Sequence, residues 1–110
     1  MYRVKLYHLR RNVKFVIMNS VYYTDKSLQT FYDLKGSEIG RAAKPGQDVL
    51  KDNDLRAVLP EQAFNFKKNV KDRLRAQVVS DCNFLKRMQI MDYSMLIGIH
   101  HIPPKSDIQF

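Results

Sequence analysis

The first third of the chain alternates apolar and polar residues with the period of a β-strand. Residues 2–9 alternate in this way, residues 10–12 are polar, and residues 13–18 are almost wholly apolar. Two such segments around a short polar turn indicate a hairpin, with the second strand covered on both faces. A further alternating segment predicts a third strand over residues 28–35.

The second half of the chain has the periodicity of a helix. Apolar residues recur about every four positions across residues 66–88, and residues 61–97 contain neither Gly nor Pro. This pattern predicts a helix of about 20 residues, with Cys82 on its apolar stripe and therefore in the core. A loop is predicted over residues 90–94, followed by a short buried strand over residues 95–102.

The order of these elements predicts an α+β fold, in which antiparallel strands are followed by a long helix and a last strand. The glycines and prolines between residues 38 and 63 indicate an irregular connection, and loops of this length are usually functional or mobile. We therefore divide the chain into strands over 1–37, a connecting loop over 38–63, and the helix, loop and strand over 64–102. These strands are too few for a self-sufficient sheet, so the chain is expected to be a fragment.

Composition and charge narrow the class of protein. The 110 residues include one cysteine, which excludes a disulfide framework and predicts an intracellular protein, and no apolar stretch approaches the roughly 20 residues of a membrane span. Nineteen basic and 11 acidic side chains give a formal charge of +8. This excess predicts an anionic partner: nucleic acid, an anionic membrane surface or a phosphorylated substrate. His100 and His101 are adjacent on a predicted strand and point to opposite faces, so no metal site is predicted.

Asp92 lies in the predicted loop between the long helix and the last strand. An Asp at such a junction can accept a hydrogen bond from an attacking hydroxyl, as phosphoryl transfer requires, although it can also simply cap a turn. A protein kinase would have His-Arg before this Asp and Asn five residues after it. Those positions are occupied by Ile90, Met91 and Ile97, which argues against an ordinary protein kinase.

A second cluster of candidate site residues follows the predicted third strand. Lys and Arg side chains bind phosphate, and a Gly lets the backbone approach a ligand closely. The alternative is that Asp33 and Lys35 only pair with each other where the strand ends. The spacing of a Walker phosphate-binding loop is absent. The cluster comprises Asp33, Lys35, Gly36, Ser37 and Arg41.

Two segments closely resemble the signatures of the phosphatidylinositol phosphate kinase family. The first is Tyr-Asp-Leu-Lys-Gly-Ser at 32–37 with Arg41, and the second is Ile-Met-Asp-Tyr-Ser-Met-Leu-Ile-Gly-Ile-His at 90–100. Leu-Lys-Asp-Asn-Asp-Leu at 50–55 is similar to a further segment of that family. The resemblance covers about residues 3–101, and Met95 departs from it by replacing the usual Leu.

The resemblance implies a two-lobed lipid-kinase-like domain, with residues 1–37 as strands of its N-lobe. It implies that Asp92 is catalytic, positioning a lipid hydroxyl for attack on the γ-phosphate of ATP. Lys35 and Arg41 would bind the phosphate already on the inositol ring, and Asp33 would orient Lys35. Gly36 and Ser37 would have supporting roles.

The implied reaction is phosphorylation of phosphatidylinositol monophosphate by a 4-phosphate 5-kinase or a 5-phosphate 4-kinase, of which the 4-phosphate 5-kinase is favoured. The resemblance implies that ATP and Mg²⁺ are held largely by residues outside this fragment. The fragment alone is expected to be inactive. Its partners would be the lipid and an anionic membrane surface, bound peripherally at the cytoplasmic face of the plasma membrane, and nucleic acid is not expected. The alternative is a non-catalytic basic module that binds phosphoinositide membranes or nucleic acid.

Overall fold

A computed structural model of the chain describes residues 2–6, 11–59 and 64–103. It contains five strands and two helices in these residues, which confirms the predicted α+β class. In chain order the elements are β1 (Tyr2–Leu6), β2 (Arg11–Phe15), β3 (Thr30–Leu34), β4 (Val49–Leu50), α1 (Asp52–Val58), α2 (Lys68–Arg87) and β5 (Met95–Ile99).

β1 and β2 form the predicted hairpin. They are antiparallel, with Tyr2 opposite Phe15 and Leu6 opposite Arg11. The second strand ends at Phe15, and residues 16–18 are exposed, Met18 to 80%. The expectation that residues 13–18 form a strand covered on both faces is therefore wrong. Apolar, β-branched composition favours an extended backbone, but it does not by itself supply a neighbouring layer.

The other three strands form a sheet in the order β4-β3-β5. β3 is antiparallel to β5, with Thr30 opposite Ile99 and Leu34 opposite Met95, and it is parallel to the short β4. Tyr32 on the central strand is buried. Because β3 and β5 run in opposite directions, the residues after β3 lie beside those before β5.

Residues 49–50 and 52–58 are regular, which corrects the expectation of an irregular connection across 38–63 for the part of that range, 38–59, that the structure describes. They form β4 and α1, and α1 follows Lys51 at its N-cap. The Asp54 carboxylate accepts hydrogen bonds from the Lys51 amide at 2.9 Å and from the Ala43 amide at 2.8 Å. Acids in the first turn also suit the positive end of a helix dipole.

The long helix α2 has the predicted position and comprises 20 residues. It ends in a Schellman motif: the Gln89 amide donates to the Lys86 carbonyl and the Ile90 amide to the Leu85 carbonyl, both at 3.0 Å. None of its residues is buried, so the prediction that Cys82 lies in a core is wrong. The periodicity identified an apolar face, but no layer covers it within the described residues. Neither described helix is long and apolar enough to span a membrane.

Candidate functional site

The turn that contains Lys35 and the loop that contains Asp92 lie together at one end of the three-stranded sheet. Lys35 directly follows β3, and Asp92 lies three residues before β5. The Lys35 ammonium forms an ion pair with Oδ1 of Asp92, across 57 residues of sequence. The antiparallel pairing of β3 and β5 is what brings these two side chains together.

Asp92 is held on an unusual backbone. Its φ is +60°, in the left-handed region, which Asp tolerates better than most residues do. Its side chain is 82% exposed. The hydrogen bond and the positive charge of Lys35 lower the pKa of Asp92, so the group is a carboxylate at neutral pH. Asp92 can therefore accept a hydrogen bond but has no proton to donate.

A buried carboxylate, Asp52, lies at the centre of the neighbouring cluster. Its side-chain oxygens accept hydrogen bonds from the Lys35 amide at 3.0 Å, the Gly36 amide at 2.8 Å and Nε of Arg41 at 2.8 Å. Burial favours a raised pKa for this group, but the bonds from Arg41 and the two amides outweigh it and lower the pKa of Asp52 to about 2. Asp52 is 8% exposed and remains charged at neutral pH.

Arg41 is held by two carboxylates. Besides its bond to Asp52, its Nη2 donates to the Asp33 carbonyl at 2.6 Å and to Oδ1 of Asp33 at 3.3 Å. The expectation that Asp33 orients Lys35 is therefore wrong, since Asp33 contacts Arg41. The planar guanidinium can reach two acceptors on different segments, whereas the Lys35 ammonium is already paired with Asp92. Nη1 of Arg41 has no hydrogen-bond partner within the described residues.

A cavity of about 490 Å³ lies beside these groups. Its volume is within the range of about 300–1,000 Å³ that is usual for small-molecule sites. The turn after β3 contributes Lys35, Gly36 and Ser37 to its wall, and the loop before β5 contributes Tyr93 and Ser94. The two helices contribute Asp52, Leu55, Arg56, Val78 and Cys82, and Leu34, Glu38 and Met95 complete the lining.

Comparison with known proteins identifies the family. A model of the family described as phosphatidylinositol-4-phosphate 5-kinase matches residues 1–109. The chain belongs to this family. It is 36% identical over 107 residues to phosphatidylinositol 4-phosphate 5-kinase 8 of Arabidopsis thaliana, covering 94% of this chain and 13% of that protein. It is 41% identical over 106 residues to a probable phosphatidylinositol phosphate kinase of Dictyostelium discoideum, covering 92% and 14%.

The match to this kinase family is confined to a small part of each relative. Phosphatidylinositol 4-phosphate 5-kinase 1 of Oryza sativa is 37% identical over 94 residues, which are 86% of this chain and 12% of the relative. The chain thus spans about an eighth of the length of the curated relatives it matches. No solved structure matches the chain.

The fold brings the predicted site residues together in two groups, and Asp52 links the two groups through its bonds to Lys35 and Arg41. Lys35 contacts Asp92, and Arg41 contacts Asp33, while Gly36 and Ser37 line the cavity. Gly36 has a φ of +74°, in the left-handed region, which favours glycine at this position of the turn. Its amide donates a hydrogen bond to Asp52.

Asp52 is the residue that sequence reasoning missed. The available signal was its position in the segment 50–55, which is similar to a family motif, but a run of polar residues does not show which carboxylate is buried. No group of three or more His, Cys, Asp or Glu side chains in the described ranges is arranged to hold a metal ion. His100 and His101 contact Ser27 and Thr30, at the opposite end of β3.

Proposed function

We propose that the protein to which this chain belongs is a phosphatidylinositol phosphate kinase that transfers the γ-phosphate of ATP to a hydroxyl of phosphatidylinositol monophosphate. The finer proposal is a phosphatidylinositol 4-phosphate 5-kinase, as the names of the relatives suggest. The observation that carries the proposal is the contact between Lys35 and Asp92 beside the cavity. In this contact Lys35 is the cation that can bind the phosphate of the substrate, and Asp92 is the acceptor for the hydroxyl.

In this proposal each side chain has one task. The Asp92 carboxylate accepts a hydrogen bond from the attacking hydroxyl and aligns it, which is the part an Asp has in phosphoryl transfer. The Lys35 ammonium and Nη1 of Arg41 bind the phosphate already on the ring. ATP supplies the transferred group, and Mg²⁺ would neutralise its phosphates. The described residues offer no set that fits the metal, so we assign none of them to it.

The charges of the cluster decide how the phosphate enters. Lys35 and Arg41 contribute two positive charges, and Asp33, Asp52 and Asp92 contribute three negative ones, so the cluster has a formal charge of −1. Because Lys35 is already paired with Asp92, a phosphate that binds Lys35 has to displace the Asp92 carboxylate. That exchange leaves the Asp92 carboxylate available to the hydroxyl at the time when the substrate is in place.

The basic surface supports a peripheral membrane position. Helix α2 carries six basic and two acidic side chains, and all of its basic residues are exposed. Each Lys or Arg near an anionic leaflet contributes about 1 kcal/mol of attraction. We propose that this surface lies against the cytoplasmic face of the plasma membrane, where the lipid substrate is located.

The test is phosphorylation of phosphatidylinositol 4-phosphate in liposomes by protein expressed from the complete gene. Asp92→Asn should reduce turnover by about 100-fold or more, because the amide is a much weaker acceptor for the hydroxyl proton. Liposome cosedimentation should change little. Asp48→Asn is the matched control, since Asp48 is an exposed acid that precedes β4 beside the start of β3, whereas Lys35 follows the end of β3.

Unchanged turnover in Asp92→Asn would remove Asp92 from its proposed role. The competing function is that of a non-catalytic basic module that binds phosphoinositide membranes or nucleic acid. Wild-type protein that sediments with liposomes without phosphorylating them would favour that module. Equal affinity for nucleic acid and for phosphoinositide liposomes, weakened alike by salt, would favour the nucleic-acid version.

A further inference from the structure

We propose that Asp52 is a positioning residue for the substrate phosphate: it fixes the turn at Lys35 and Gly36 and the plane of the Arg41 guanidinium in one arrangement. This inference rests on the proposed function, since it concerns the same phosphate. Asp52 lies in the first turn of α1, and the groups it binds belong to the segment after β3.

The hydrogen bonds of Asp52 join three parts of the chain. Oδ1 accepts from the amides of Lys35 and Gly36 at 3.0 and 2.8 Å, and Oδ2 accepts from Nε of Arg41 at 2.8 Å. Removing the carboxylate would leave two amides and part of a guanidinium without an acceptor in a half-buried position. One side chain therefore sets both the direction in which Lys35 leaves the strand and the place of Arg41.

The three nitrogen atoms of the Arg41 guanidinium therefore differ in their hydrogen-bond partners. Nε is directed to Asp52 and Nη2 to Asp33, and the side chain is 14% exposed. A guanidinium is planar, so two acceptors at different edges fix its orientation. Within the described residues only Nη1 keeps both of its N–H groups for a ligand. Asp33 alone would hold a single nitrogen and would leave the plane free to turn.

Asp52 acts through these neighbours and does not itself contact the phosphate. Both of its oxygens are occupied, it is 8% exposed, and an acceptor-only carboxylate would repel an anion. Its low pKa means that this role does not titrate near neutral pH. The effect of losing it should therefore appear in how well the phosphorylated lipid binds.

The experiment compares Asp52→Asn with Asp54→Asn in protein expressed from the complete gene. Asp54 is a matched control in the same helical turn, because its carboxylate also accepts two amide hydrogen bonds, from Ala43 and Lys51. Asp52→Asn should raise KM for phosphatidylinositol 4-phosphate in mixed vesicles by about tenfold or more, because a misplaced Arg41 guanidinium would lose its charge-assisted hydrogen bond to the phosphate. KM for ATP should stay within about twofold, a negligible free-energy change.

Asp54→Asn should lower the melting temperature while leaving KM for the lipid unchanged. If Asp52 had a purely structural role, Asp52→Asn would behave like Asp54→Asn, and both variants would show the same changes in KM and in melting temperature. That result would overturn the inference. An equal rise in KM for ATP and for the lipid would overturn it as well. All assays are made below the unfolding transitions of the three proteins.

A second variant covers the case in which Asp52→Asn does not fold. Asp52→Glu keeps the charge but moves the carboxylate by one methylene away from its three donors, so the inference predicts the same selective rise in KM for the lipid, and an unchanged KM would contradict it. Where Asp52→Asn and Arg41→Lys both fold, the double variant should raise KM by less than the two single effects combined, because the part of the Asp52 effect that passes through the guanidinium is already lost in Arg41→Lys. Additive effects would show that Asp52 and Arg41 act independently and would contradict the inference.

The probe inositol 1,4-bisphosphate separates this inference from the proposed function. Wild-type protein without turnover would refute the proposed kinase activity. In that case the dissociation constant of inositol 1,4-bisphosphate, measured by calorimetry, still tests the positioning role. About a tenfold weakening in Asp52→Asn but not in Asp54→Asn would support it, and equal affinities in all three proteins would overturn it.

Discussion

Acid should destabilise the fold through Asp52 in a way that the Asp52→Asn variant abolishes. The pKa of Asp52 is lowered from 3.8 to about 2 in the folded protein. The folded state therefore binds the proton less readily than the unfolded chain, and the stabilisation is fully present above about pH 5 and is lost as the pH falls through about 2. The difference corresponds to about 2 kcal/mol at 1.36 kcal/mol per pKa unit. About half of it is lost by pH 3.

Urea unfolding followed by circular dichroism, at pH 7 and pH 3, measures this effect. The free energy of unfolding of the wild type should fall by about 1 kcal/mol more than that of Asp52→Asn between the two pH values. The pKa values of Asp54 and Asp92 are also lowered, by hydrogen bonds from two amides and from Lys35 respectively. These groups are present in both proteins, so their contribution cancels. The same pH dependence in both proteins would refute the reasoning.

Two further predictions concern the ion pair and the sheet. Lys35→Ala should raise the pKa of Asp92 toward its ordinary value, since Lys35 supplies the hydrogen bond and the charge that lower it. The pKa is measured by ¹³C NMR titration of the Asp92 carboxyl carbon, and an unchanged pKa would contradict the prediction. Gly98→Ala should lower the free energy of unfolding by about 1–3 kcal/mol, measured in urea. Its Cβ would lie 2.9 Å from Leu28 Cδ1 and 3.0 Å from Tyr22 Cδ1, and unchanged stability would show that both side chains move aside freely.

The elements with a long or regular pattern were predictable from the sequence, and the short ones were not. The apolar repeat located α2, and alternation located β3, to within a few residues of their observed ends. Helix α1 has seven residues, only two turns, which is too short for a periodic signal. The pairing of β3 with β5 depends on contacts about 65 residues apart in sequence, and local patterns do not encode such pairing.

The site was predictable as far as single residues have a recognisable chemical role. The family resemblance selected Lys35 and Asp92, which the structure then places in contact. Their partners depend on the fold. Asp52 receives its hydrogen bonds from groups 11 to 17 residues away, and nothing in a polar run distinguishes it from Asp54. Burial of a carboxylate is a property of the assembled donors.

The two cations of the site differ in how firmly they are held, and this difference supports separate tasks for them. Arg41 is largely buried between Asp33 and Asp52, and breaking such contacts leaves buried charges without a partner. Lys35 is 28% exposed and its partner Asp92 is 82% exposed, so water and salt screen their attraction. A phosphate that competes for both cations should therefore displace Asp92 from Lys35 while Arg41 keeps its place. The fixed guanidinium would define where the phosphate lies, and the lysine would respond to its arrival.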